Sequence, residues 1–273
     1  MTGKTGILGI VNLSADSFWE GSRVGDARSL VAKVVQMLEE GADAIDLGAA
    51  SSRPGTVLAD AREQWALLKP ALETLRKEFP GLRLSVDSCF AEVVRRCFDV
   101  WGPFTVNDIS AGEMDPGMLP LVGSLGLPYI AMHMRGTPLT MSSLCSYDDV
   151  VKEVRDYFTR LAPRLENAGI KEWILDPGFG FAKTTEQNYR LLSALPELCS
   201  LGRPVLVGVS RKSMIYKPLG IGPEDALAPT QAVHMAALIG GAAWLRVHDV
   251  KEAVMTAKLY SMMYTSSPGA AKR

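Results

Sequence analysis

Eight short apolar runs punctuate the chain, and each gives way to a polar residue at or just past its end. They are Gly6–Leu13, Ala44–Leu47, Leu82–Val86, Phe104–Val106, Tyr129–Met132, Trp173–Leu175, Val205–Val209 and Ala242–Val247. Runs this short and this continuous suit strands buried on both faces of a parallel sheet. Longer segments with apolar residues at helical spacing separate them. Asp26–Glu40 carries Leu30, Val34, Met37 and Leu38 on one stripe, and Asp60–Phe79 carries Trp65, Leu68, Leu72 and Leu75. Further helices are predicted over Ala91–Phe98, Asp115–Gly126, Tyr147–Ala168, Thr185–Leu192, Thr230–Gly240 and Val250–Met263. The unit is a strand followed by a helix, repeated eight times. That pattern predicts an α/β fold, a (β/α)8 TIM barrel forming one domain over residues 1–273, with its core at about 6–260 and a tail, Thr265–Arg273, that frays.

Barrel enzymes work at the C-terminal ends of their strands. The polar tips are therefore a parts list: Asn12, Asp46, Asp87, Asn107, His133, Asp176, Ser210-Arg211-Lys212 and Arg246-Val247-His248. Phosphate commonly binds at the loops after strands seven and eight. Here those loops bring three cations, one histidine and two hydroxyls, a set that suits an anionic ligand. Asp87, Asn107 and Asp176 end strands three, four and six. Three short acceptors at one mouth suit either a flat heterocycle with amide and amino edges or a magnesium ion, and spacing leaves both open. Asp46 and Asp108 fit better as caps on the helices that follow. His133 reads as a satisfied structural group rather than a base. The stretch Asp176-Pro177-Gly178-Phe179-Gly180-Phe181-Ala182-Lys183-Thr184 pairs tight-turn glycines with an aromatic able to stack on a ring. Two long connections, Ser14–Gly25 and Ala49–Ala59, are either lids or ordinary surface loops.

Composition narrows the function classes. A 273-residue chain with a formal net charge of -1 has no bulk field favouring nucleic acid or an acidic membrane. No apolar stretch approaches the roughly 18 residues of a membrane span. Four scattered cysteines without C-x-x-C spacing, and a start that runs straight into the first strand, predict a reduced, cytoplasmic protein. No Gly-x-Ser-x-Gly elbow, zinc cluster or dinucleotide fingerprint is present.

Eight motifs occur in order, each at a strand end. They are Gly9-Ile10-Val11-Asn12 with Asp16-Ser17-Phe18, Ser51-Ser52-Arg53-Pro54-Gly55, Ser85-Val86-Asp87-Ser88, Asn107-Asp108-Ile109-Ser110, Met132-His133-Met134-x-Gly136-Thr137-Pro138, Asp176-Pro177-Gly178-Phe179-Gly180-Phe181-x-Lys183, Ser210-Arg211-Lys212-Ser213 and Arg246-Val247-His248-Asp249. Taken together they resemble the dihydropteroate synthases, from about residue 6 to residue 260. The resemblance implies a (β/α)8 fold and a transferase of folate biosynthesis, a sulfonamide target. Para-aminobenzoate would displace pyrophosphate from 6-hydroxymethyl-7,8-dihydropterin diphosphate. It further implies that Asp87, Asn107, Asp176 and Lys212 hold the pterin, which favours the heterocycle over a metal at those tips. Asn12, Arg246 and His248 would take the diphosphate, with magnesium at Asn12. Ser52, Arg53, Pro54, Phe181, Lys212 and Ser213 would form the para-aminobenzoate pocket. Asp87, Lys212, Arg246 and His248 would carry the catalysis, and the protein would be a homodimer.

The chain departs from the family in two loops. Ser14-Ala15-Asp16-Ser17-Phe18 stands where the family usually reads Thr-Pro-Asp-Ser-Phe. Gly48-Ala49-Ala50-Ser51-Ser52-Arg53-Pro54-Gly55 stands where it usually reads Gly-Gly-Glu-Ser-Thr-Arg-Pro-Gly. Losing a proline raises the entropy lost on ordering a loop, and Ser52 has freer rotamers than threonine. The expectation is an active enzyme with weakened aminobenzoate affinity. The rival readings are a non-catalytic pterin-binding paralogue and a pterin-dependent methyltransferase domain. The second would need no diphosphate site, and the intact Ser210–Ser213 and Arg246–His248 motifs count against it.

Overall fold

The computed structural model describes residues 4–13 and 27–264. The predicted loop Ser14–Gly25 and the tail Thr265–Arg273 lie outside them. Among the described residues there are eight strands: β1 (Gly6–Asn12), β2 (Ala44–Gly48), β3 (Leu84–Asp87), β4 (Thr105–Asp108), β5 (Tyr129–Met132), β6 (Trp173–Asp176), β7 (Leu206–Val207) and β8 (Trp244–Val247). All pair in parallel, in the order β6-β5-β4-β3-β2-β1-β8-β7. A bridge between Leu175 and Val205 joins the two edges, so the sheet closes into a barrel.

Helices α1 (Ala27–Glu40), α2 (Ala61–Glu78), α3 (Ala91–Trp101), α4 (Met118–Leu125), α5 (Val150–Asn167), α6 (Thr185–Ser193), α7 (Leu195–Cys199), α8 (Ser213–Leu219), α9 (Leu227–Ile239) and α10 (Val250–Tyr264) surround it. Local chemistry fixes several starts. Asp60 and Glu63 form a capping box on α2, Thr184 and Gln187 another on α6, and Asp149 caps α5. Outward strand residues such as Ile7, Ile45, Val86, Val106 and Leu245 share one buried core with the inner faces of the helices.

Side chains alternate along a strand, and this period of two divides the barrel interior into levels. Leu8, Ala44, Ile130 and Leu206, with Ile174 and Trp244, form an apolar cluster at the N-terminal end. One step of two residues up, Ala44 gives way to Asp46, Ser85 to Asp87, Ile174 to Asp176 and Trp244 to Arg246. The lining changes from apolar to charged within two residues per strand.

Three expectations need correction. β3 ends at Asp87 as expected, whereas β4 runs one residue past Asn107 to Asp108. Only Leu206 and Val207 of the seventh run keep strand geometry, and α8 with a short 3-10 turn at Glu224–Ala226 fills the stretch left without an element. Asp46 caps no helix. It lies in mid-strand with its side chain inside the barrel, fully buried. Asp108 caps a loop: its carboxylate accepts from the Ser110 and Gly112 backbone N–H groups, each at 2.8 Å, and from the Tyr129 hydroxyl at 2.6 Å.

Candidate active site

An ion-paired triad sits inside the C-terminal mouth. Arg246 Nε donates to Asp46 Oδ2 at 2.6 Å, and Arg246 Nη2 to Asp87 Oδ2 at 2.7 Å. Asn107 Nδ2 also donates to Asp46 Oδ2, at 3.1 Å. Three strand ends are thereby tied to β8. Burial pushes the Asp87 carboxyl up to about 7, against the pull of Arg246, and the neighbouring Asp46, Asp108 and Asp176 add to the rise. Burial alone would lower the Arg246 guanidinium, but Asp46 and Asp87 outweigh it and hold the group above its ordinary value.

Around this triad opens a cleft of about 80 Å3, whose lining includes Asn12, Ser52, Pro54, Asp87, Phe181, Lys212, Ser213, Arg246 and His248. These are nine of the residues expected at the site. Asn107 and Asp176 lie among the buried polar residues rather than in the lining. Asp176 Oδ1 accepts the Gly178 N–H at 2.8 Å, and burial raises its carboxyl. Arg53 is not among the lining residues; its carbonyl accepts from Thr56 N and Oγ1 and closes the turn that presents Ser52 and Pro54. The Gly55 N–H reaches the Pro138 carbonyl at 2.9 Å, linking this loop to the one after β5.

Lys212 is the N-cap residue of α8. Its Nζ donates to the Phe179 carbonyl at 2.6 Å and stands 4.7 Å from the centroid of the Phe181 ring. Burial, with Arg246 nearby, lowers the ammonium to about 8. His248 is lowered to about 3 by burial and by Arg246, so its imidazole is neutral near pH 7. The His248 N–H and Nδ1 both lie 3.2 Å from Ser210 Oγ. The backbone N–H donates to that oxygen, and the hydroxyl fixes the imidazole through Nδ1, as donor or acceptor according to the tautomer.

Arg211 departs from the sequence expectation of a third cation for an anion. Its guanidinium grips Asp249 with two bonds, 2.8 and 3.0 Å long, and donates to the Pro223 and Glu224 carbonyls at 2.8 Å. Its backbone has φ +51, a region costly for a residue with a side chain, and these bonds hold it there. Arg211 anchors the loop that presents Lys212. His133 matches the structural reading. It is buried, its Nδ1 is 3.0 Å from Lys183 Nζ, and burial holds it well below the usual histidine range.

Sequence reasoning gave Asp46 the wrong role and gave Lys183 and Met141 none. Asp46 was legible in principle, because Ala44, Asp46 and Gly48 share one face of a strand. Lys183, lowered to about 7 by burial, donates to the Gly178 and Phe181 carbonyls at 3.0 and 3.1 Å and fastens the loop carrying Phe181. Met141, from a 3-10 turn after β5, lines the cleft and left no signal in the sequence.

The chain can be set beside known proteins at this point. The family model described as pterin binding enzyme matches residues 8–248. The dihydropteroate synthase of Escherichia coli (strain K12) is 40% identical over 250 residues, covering 91% of this chain and 88% of that protein. That of Synechocystis is 37% identical over 264 residues, covering 96% and 91%. Among solved structures, the Yersinia pestis dihydropteroate synthase with a sulfonamide drug superposes with a TM-score of 0.90 at 34% identity, covering 97% of this chain and 95% of the other. The Xanthomonas albilineans dihydropteroate synthase with 4-aminobenzoic acid gives 0.87 at 37% identity, covering 97% and 94%. With a barrel mouth of this composition and matches of this extent, the chain belongs to the pterin-binding enzyme family and, within it, to the dihydropteroate synthases.

Proposed function

We propose that this protein condenses 6-hydroxymethyl-7,8-dihydropterin diphosphate with para-aminobenzoate, giving 7,8-dihydropteroate and pyrophosphate in folate biosynthesis. The observation that carries the reading is the gathering of Asp87, Asn107, Asp176 and Lys212 with Arg246 and His248 at one barrel mouth.

The pterin ring presents amide and amino edges, and Asp87, Asn107, Asp176 and Lys212 offer the matching acceptors and donors. An open space of about 80 Å3 is below the roughly 300 Å3 of a small-molecule site, so side chains must move for the ring to enter. Arg246 lines the cleft and holds Asp87, the carboxylate the ring would engage. The incoming amino edge takes over Asp87, and the released guanidinium turns to the diphosphate, which it can clamp with two bonds. His248, neutral, adds a hydrogen bond rather than a charge.

At C9 the C–O bond breaks and its electron pair leaves with pyrophosphate. The reduced pterin ring delocalises the cation left behind, and the Asp87 and Asp176 carboxylates stabilise it. The arylamine then forms the C9–N bond from a pocket of Ser52, Arg53, Pro54, Phe181, Lys212 and Ser213, and the N–H proton it sheds leaves with the pyrophosphate or to water. A cation needs little push, which accords with the absence of a strong base among the residues assigned here. A sulfonamide would compete for this arylamine pocket.

Magnesium is part of the proposal, and when bound it would neutralise charge on the leaving diphosphate. The donor set fits such an ion. Asn12, whose Oδ1 stands 3.4 Å from where a Cβ on Gly48 would sit and which lines the cleft, would supply the protein oxygen. Among the described residues no group of three or more His, Cys, Asp or Glu could hold a metal, and magnesium commonly takes only one or two protein oxygens beside phosphate. The proposal also takes the protein as a cytoplasmic homodimer. All four cysteines are free, and Ile239 of α9 with Met255, Leu259 and Met262 of α10 are exposed apolar side chains suited to a second copy. Light scattering of the parent and of L259E/M262E tests the dimer.

The decisive experiment measures pyrophosphate release from the dihydropterin diphosphate and magnesium, with and without para-aminobenzoate. Release that rises with aminobenzoate, together with dihydropteroate, supports the synthase. Pterin binding without dihydropteroate refutes it in favour of a non-catalytic paralogue.

A further inference from the structure

The opposite, N-terminal mouth of the barrel holds a larger open space than the active-site cleft, about 390 Å3. Ligand pockets run from roughly 300 to 1,000 Å3, so it is of binding-site size. Its floor is the apolar cluster of Leu8, Ala44, Ile130 and Leu206, and the small Ala44 and Ser85 leave it under-filled. Trp244 forms one wall, its ring lying so close over Gly6 that a Cβ there would sit 2.3 Å from it.

Two features of this cavity point to a ligand. The first is a polar group without a partner. Ser85 sits level with Asp46 of β2 and with Thr105 of β4, and strand alternation turns its side chain into the barrel, on the side that carries Asp87 one step above. Ser85 is 1% exposed and its Oγ has no hydrogen-bond partner. A buried hydroxyl left unpaired costs about 1–3 kcal/mol, so such groups are normally satisfied.

The second is the rim. Arg83, Lys171 and Arg203 stand there with one acid, Glu172. Arg83 lies 6.0 Å above the Trp244 ring and Arg203 5.0 Å above the Trp173 ring, so both guanidinium planes are held at the mouth by aromatic faces. Arg203 also approaches Glu166 at 3.6 Å. Lys171 is exposed and has no ion pair among the described residues.

We propose that the N-terminal mouth of the barrel is a second ligand site, taking a compact aromatic carboxylate. Its ring enters the apolar well beside Trp244, its carboxylate meets Arg83, Lys171 and Arg203, and a polar substituent at the far end reaches Ser85. This mouth lies one level of side chains, two residues along each strand, below the active site and shares no lining residue with it.

The test uses 6-hydroxy-2-naphthoate, followed by its own fluorescence and by quenching of the tryptophans, on the full chain. The parent binds one equivalent per chain. The double variant R83E/K171E, altered only at exposed rim positions, weakens binding at least tenfold (about 1.4 kcal/mol) while dihydropteroate formation without the probe is unchanged. Ser85→Ala, which keeps the fold if the charge reversal does not, weakens it about threefold by removing the hydroxyl. Lys212→Ala, at the other mouth, leaves the affinity as it was. No binding at millimolar probe overturns the proposal. So does an affinity unchanged in both R83E/K171E and S85A, or one lost in K212A and kept in R83E/K171E.

Discussion

Replacing Arg246 with Met strands two carboxylates at once. In the parent, Arg246 is 2.6 Å from Asp46 and 2.7 Å from Asp87, and the three side chains are 19%, 0% and 18% exposed. Water screens such pairs little, and removing one partner of a buried pair costs about 3–5 kcal/mol. The partial exposure of Asp87 sets the expectation at the lower end, about 3 kcal/mol. The loss depends on pH with a definite sign. Burial lifts Asp87 from 3.8 to about 7 even with Arg246 pulling it down. Without Arg246 the folded carboxyl rises further. The folded variant then keeps a proton that the unfolded chain has released, and stability falls with rising pH wherever the unfolded state binds fewer protons. In the parent that fall ends near pH 7, whereas in R246M it continues above. Urea unfolding at about pH 6 and about pH 8.5 therefore shows a deficit that widens with pH, and R246M/D46N recovers part of it. A deficit below about 1 kcal/mol at both values, or one that narrows as pH rises, would refute the reasoning.

Four further outcomes are expected. Lys212, lowered to about 8, loses its charge as pH rises, so kcat/KM falls above about pH 8; K212A loses that limb and runs about 10²-fold lower throughout, as pH-rate profiles will show. Gly178→Ala would put a Cβ 2.0 Å from the His133 carbonyl oxygen at a φ of +69. It should cost about 2–5 kcal/mol, visible as a lowered Tm, and an unchanged Tm contradicts the packing described. Chelating magnesium should abolish pyrophosphate release, with magnesium restoring it and N12A requiring more of it; undiminished release in chelator rejects the metal. Ser52→Thr should lower the KM for para-aminobenzoate by stiffening one side chain of the pocket, and an equal or higher KM rejects that account of the loop.

Most strand ends were legible because barrel strands are buried on both faces and stop where a polar residue meets the mouth. Asn12, Asp87, Asn107, Asp176, Lys212, Arg246 and His248 were found in that way. Boundaries slipped where polarity misled. Asp108 looks like a loop residue, yet it closes β4 one residue past the expected end, its carboxylate buried in bonds from Ser110, Gly112 and Tyr129. Asp46 was misread for the same reason: an acid in an apolar run suggests a cap, until a cation from a strand 200 residues away stands beside it. Arg211 erred in the opposite direction, since only the fold shows that Asp249 and two carbonyls already take up its guanidinium.

The sequence by itself determined the eightfold alternation of strand and helix, the closed barrel and the composition of its active mouth. These follow from periodicity and from the rule that polar groups end buried strands, both local properties of the chain. Tertiary structure alone decided which charges meet inside the barrel, because β8 comes beside β1 and within reach of β2 and β3 only in the folded sheet. It also decided which cation serves the loop and which faces the cleft, how far burial moves Asp87, Lys212 and His248, and that the far mouth is an under-filled well ringed by arginine and lysine. Those features depend on distance and solvent exclusion between residues remote in sequence, quantities that no local pattern carries.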